Sequence, residues 1–164
     1  MPNFAVDNIK ANCKRHVAAT FLAVGVFAGG TAIAGSHSPA EAAFDDAMSG
    51  CIRIVADGTP PVRALPGATE EGGKWTLATE AATITFDAGE HACYINLPSM
   101  DYNREAALNS VRDEMLGANI TDLQDRDLGR IMPGVMGDLN GKWVHIGVGP
   151  LDGSGSQFVV KAQR

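Results

Sequence analysis

The sequence predicts a two-layer α+β fold: an antiparallel sheet of about six strands in helix-βββ-helix-βββ order, two helices packed on one face, and one disulfide. Three observations predict it. Apolar residues recur at helical period in two separate segments. The stretches between alternate apolar and polar residues in short runs joined by Gly- and Asn-containing turns, which points to hairpins rather than crossovers. Two cysteines, Cys51 and Cys93, fall one on a helical stripe and one on the apolar side of a strand, so both periodicities deliver a sulfur to the same interior.

Residues 1–42 read as a cleaved export signal. Lys10, Lys14 and Arg15 form a basic start, an apolar run covers Val17 to Ala34, and Pro39 precedes Ala40-Glu41-Ala42. Small residues at the −3 and −1 positions place the cut after Ala42; a cut after Ala34 fits the same rule through Ala32. The run is near the lower limit for spanning a bilayer, and it is rich in Gly and Ala, so a permanent anchor is disfavoured. Met48-Ser49-Gly50-Cys51 resembles a lipid-attachment site only loosely, because Asp45 and Asp46 interrupt the apolar segment it would need.

Residues 43–164 then form a single domain. They carry 10 Lys and Arg against 17 Asp and Glu, a formal charge of −7 with no basic stripe, which disfavours nucleic acid and anionic membrane surfaces as partners. Removal of the leader takes Cys13 with it. The remaining pair, Cys51 and Cys93, reads as a disulfide in an oxidising compartment, periplasmic or extracellular. Two cysteines this far apart without clustered histidines do not make a zinc site, and no metal or cofactor is expected.

The first helix is predicted over Phe44 to Val55, with Phe44, Ala47, Met48, Cys51, Ile54 and Val55 as its stripe. Residues 56–73 follow as an irregular loop with Pro60, Pro61, Pro66 and four glycines. Three strands come next, through Trp75-Leu77-Thr79, Ile84-Phe86 and Cys93-Ile95-Leu97, the last two joined at Asp87-Ala88-Gly89-Glu90. A second helix is expected over Tyr102 to Leu116, capped by Asp101, striped by Leu108, Val111, Met115 and Leu116, and ended by Gly117. The last three strands are a poor one over Ile131 to Gly137, where Pro133 demands an edge, and strong ones over Trp143 to Val148 and Gln157 to Ala162. Asn140-Gly141 is a two-residue hairpin turn. Gly73-Lys74-Trp75 and Gly141-Lys142-Trp143 hint at an internal repeat.

The chemistry motifs searched for are missing. There is no phosphate-binding glycine loop, no Gly-x-Ser-x-Gly elbow and no His-Glu-x-x-His pair. A bridged Cys51–Cys93 leaves no thiolate nucleophile. Trp143 and His145 share the non-core side of their strand, and an aromatic beside a base on an open face is the candidate ligand-binding pair. His91 just past a hairpin turn is a weaker candidate. Asp122, Asp125, Asp127 and Asp138-x-Asn140-Gly141 lack a calcium-binding ligand ladder and read as turn chemistry. Asn119-Ile120-Thr121 matches a glycosylation acceptor, which matters only in a eukaryotic host. The expectation is a non-catalytic exported domain that binds an envelope protein or a small ligand. The alternatives are an inhibitor presenting the 56–73 loop and a small hydrolase built on His145 with an acidic partner.

Overall fold

A computed structural model describes residues 38–129 and 132–163. The predicted leader lies outside them as far as residue 37. The chain then enters α1 (Pro39–Val55). Ser38 is its N-cap: the hydroxyl accepts from the Glu41 amide at 3.2 Å, and the Glu41 carboxylate accepts from the Ser38 amide at 2.6 Å. Such a box, with Pro at the first helical position, stabilises a helix start by about 1 kcal/mol. The helix therefore begins five residues before the sequence stripe does, because caps and alanines carry no apolar period. The whole predicted stripe is buried, and Ile52 joins it.

The 56–73 segment is not irregular throughout. It holds a one-turn helix, α2 (Pro61–Ala64), and an edge strand, β1 (Thr69–Glu71). After it come β2 (Lys74–Ala78), β3 (Thr83–Asp87) and β4 (Ala92–Leu97) as a meander. Helix α3 (Arg104–Gly117) leads to β5 (Thr121–Asp125), β6 (Gly134–Leu139), β7 (Lys142–Pro150) and β8 (Ser156–Ala162), a second meander. All eight strands form one antiparallel sheet in the order β1-β2-β3-β4-β8-β7-β6-β5. Each half is a helix-led run of four strands, and the halves join where β4 pairs with β8.

The α+β class, the single antiparallel sheet and the bridge agree with the sequence expectation; the strand count does not. The two added strands, β1 and β5, are the sheet's two edges, with burial patterns that are almost wholly exposed. Pro133 stands one residue before β6, so it removes no donor from within the strand, and β6 is an interior strand. Helix α3 is capped by Asn103, whose side chain accepts from the Ala106 amide at 3.1 Å, and not by Asp101. It buries Ala107, Val111 and Met115 at four-residue spacing; Leu116 points to solvent, 58% exposed. Gly117 is the last helical residue, and the left-handed residue beyond it is Asn119 at φ 59°.

Both long helices cover one face of the sheet. Helix α1 lies against β4 and β8, and α3 against β6 and β7. Phe44 packs against Phe158 with ring centroids 4.7 Å apart and planes tilted by 50°, over a floor that includes Ile95, Leu97, Ile146 and Val160, each fully buried. Cys51 on α1 and Cys93 on β4 are disulfide-bonded, their Cα atoms 5.6 Å apart, 42 residues apart in sequence and both fully buried. The bridge pins the first helix to the last strand of its own meander, one of the two central strands of the sheet.

Candidate ligand cleft

Helix α1 runs past the start of the 56–73 segment, and the two do not close completely. Gly50 is the point of closest approach: a Cβ there would stand 2.8 Å from Leu65 Cδ2 and 3.0 Å from the Ala64 carbonyl oxygen. An isolated glycine inside an apolar helical stripe marks such an approach. Turn bonds fix the crossing segment, with the Leu65 amide donating to the Pro61 carbonyl at 2.8 Å and Ala68 to Leu65 at 3.1 Å. Leu65 is 2% exposed, so this stretch is anchored in the core and does not project.

On one side of that crossing lies a cleft of about 440 Å³. Leu77 and Ile84, cross-strand partners on β2 and β3, line it together with Leu65 and Pro66. Along α1 the rim carries Asp46, Ser49 and Arg53, the outer two separated by two helical turns, about 10 Å of axis. Arg53 is exposed, and its guanidinium has no carboxylate partner among the described residues. An apolar trough with a few polar groups at its rim is the usual make-up of a small-molecule site.

Arg53 also reaches a second groove, about 700 Å³, between α1, the end of α3 and the Asn140 turn. That groove is acidic. Glu114 has its carboxyl pushed above the ordinary range, first by burial and then by the neighbouring charges of Asp45 and Asp113.

The pair singled out in the sequence, Trp143 and His145, sits on the other face of the sheet and lines neither cleft. That face is not open at His145, which is only 3% exposed. The chain between β5 and β6 folds over it. The Arg126 amide donates to Gly134 at 3.0 Å, the Leu128 amide to Met132 at 2.6 Å, and His145 Nε2 donates to the Arg126 carbonyl at 2.7 Å. Because that acceptor is a carbonyl, the ring carries its hydrogen on Nε2. Met132 and Leu128 occupy the space that side chains at Gly147 would take; a Cβ there would lie 2.6 Å from Met132 Sδ. Trp143 is half-buried opposite Asp138 on β6. The expected wet face beside His145 is thus a covered one, and alternating Gly147 and Gly149 were its sequence signal.

His91 is likewise held structurally. It takes the left-handed conformation at φ 50°, its ring lies edge-on to Phe86, and its Nε2 is 3.3 Å from the Val55 carbonyl. Among the acidic residues, Asp138 accepts from the Gly141 amide at 3.0 Å, as its turn role requires, and Asp125 pairs with Arg112 at 2.6 Å. The sequence reading passed over Gly50 and Arg53, the two positions that shape the cleft. Comparison with protein-family models, with curated proteins and with solved structures gave no match for this chain.

Proposed function

We propose that this protein is a non-catalytic exported binding domain, and that its α1–α2–β2/β3 cleft takes a small ligand with an apolar body and one acidic group. The observation that carries the reading is the cleft itself: an apolar floor at Leu77 and Ile84 beside the Arg53 guanidinium, which has no carboxylate partner among the described residues. Its shape is backed by the buried Cys51–Cys93 bridge one residue from Gly50. Export is part of the proposal, supported by that bridge, which persists in oxidising compartments. Among the described residues no helix is long and apolar enough to cross a membrane. Binding is favoured over catalysis by His145, whose Nε2 hydrogen is committed to a backbone carbonyl. It is favoured over a presented inhibitory loop by Leu65, which anchors the 56–73 segment in the core.

Two fluorescent probes test this. Anilinonaphthalene sulfonate joins an apolar body to an anion, whereas phenylnaphthylamine has the body alone. Both should bind the native oxidised domain at one site, and Ser49→Trp at the rim should weaken both. Arg53→Gln should weaken the sulfonate about tenfold, one charge-assisted contact, and leave the neutral probe unchanged. Absence of binding, or binding indifferent to Ser49→Trp, would remove the proposal; equal loss of both probes in Arg53→Gln would remove the acidic group from it.

A further inference from the structure

The leader rule is satisfied twice, by Ala32 and Ala34 and by Ala40 and Ala42, so small residues alone do not choose between the two cuts. The fold distinguishes them. Ala42 is inside α1, and its amide donates to the Ser38 carbonyl at 3.0 Å, the first bond of the helix. The elements that start this helix are Ser38, Pro39 and Glu41, joined by the reciprocal box described above. A capping box acts only on the helix to which it is covalently joined. It would stabilise nothing in a chain cut after Ala42.

Such a cut would also leave Phe44 as the second residue of the chain. That ring is 3% exposed and packs against Phe158. A free α-ammonium group would then stand at the start of the shortened helix, where the dipole disfavours positive charge, and its first amides would lose their side-chain acceptor. A cut after Ala34 leaves the cap, the proline and the full first turn in place, preceded by residues 35–37.

We infer that the mature chain begins at Gly35: the Ala34–Gly35 bond is the processing site, and residues 38–42 belong to the folded domain. The inference rests on the export reading. The step is a hydrolysis by a leader peptidase of the membrane, with water supplying the hydroxyl of the new Ala34 carboxylate and a proton to the Gly35 amine.

The full chain, expressed in an exporting bacterium and recovered from the envelope fraction, should give an intact mass that starts at Gly35. A mass that starts at Ala43 overturns this inference while leaving the export reading in place. An uncut chain overturns both. Two variants give an independent answer. Ala34→Phe places a bulky residue at −1 and should leave precursor uncut, whereas Ala42→Phe, at an exposed helical position, should be processed as the wild type is. The opposite pattern refutes the assignment.

Discussion

Reducing the Cys51–Cys93 bridge should lower the stability of the domain by about 4 kcal/mol, the loop-closure entropy expected for the 42-residue separation. The native state supplies no reason for a larger loss, since both cysteines are fully buried and would remain so as thiols. A domain of this size loses about 4 kcal/mol of stability per molar guanidinium chloride, so the midpoint should fall by about 1 M. The melting temperature should fall by about 15 °C. The assay is equilibrium unfolding by circular dichroism, comparing oxidised protein with protein reduced in denaturant and refolded under a phosphine reductant. The loss should also be uneven. The closed loop contains α2 and strands β1 to β3, the half of the sheet that ends in a three-residue edge strand. Amide exchange in β2 and β3 should therefore accelerate more than in β6 and β7. A reduced midpoint within about 0.2 M of the oxidised one, or uniform acceleration across the sheet, would refute the idea that the bridge holds α1 and the first meander together.

Other perturbations probe other parts of the molecule. Ser38→Ala should cost about 1 kcal/mol in the same unfolding assay, because it removes the acceptor for the Glu41 amide. Gly147→Val should cost about 1–3 kcal/mol and open the Arg126 and Leu128 amides to exchange, since its side chain would displace Met132 from the sheet. Glu114→Gln should stabilise the protein at neutral pH. The folded state holds the Glu114 proton more tightly than the unfolded chain does, so ionising it costs stability as pH rises past the ordinary glutamate range, and the amide has nothing to ionise. Tyr94 is pushed up to about 12, mainly by burial and then by its hydrogen bond to Glu90, so its phenolate absorbance should appear well above the ordinary tyrosine range. The same shift works against the fold in alkali: its contribution is complete below pH 10 and is lost between 10 and 12, and Tyr94→Phe should remove that part of the alkaline decline.

What the sequence disclosed follows from burial. Interior strands such as β3, β4, β7 and β8 have one side in a helix-covered core, and their alternation is plain. The edge strands β1 and β5 present Thr-Glu-Glu and Thr-Asp-Leu-Gln-Asp, nearly all exposed, and therefore carry no apolar period to read. Their polarity has its own physical reason, since an exposed edge of charged residues discourages pairing with another chain. The signal for β1 lay in its turn. Gly72 and Gly73 take φ of 59° and 82°, nearly the values of Asn140 and Gly141 at 54° and 83°, so a second two-residue hairpin stood inside the segment read as a loop.

The same comparison explains the apparent repeat. Both turns are followed by Lys-Trp, but the first joins β1 to β2 and the second joins β6 to β7. In a chain of two helix-led meanders, the counterpart of the β1–β2 turn is the β5–β6 connection, which here is the long arm over His145 and not a tight hairpin. The three matching residues are thus one hairpin out of phase with the architectural repeat, and shared turn geometry is enough to account for their glycines. That arm also explains why the candidate site was misplaced. Its cover over His145 depends on Met132 meeting Gly147 across the sheet face, a contact between residues whose own segments have no common period. The cleft was hidden for a related reason. Arg53 and Gly50 sit on α1 with no apolar signal of their own, and they acquire meaning only when the segment bearing Leu65 crosses them. Periodicity reports which side of an element faces the core; which loop lies across which face is set by chain crossings that no single segment encodes.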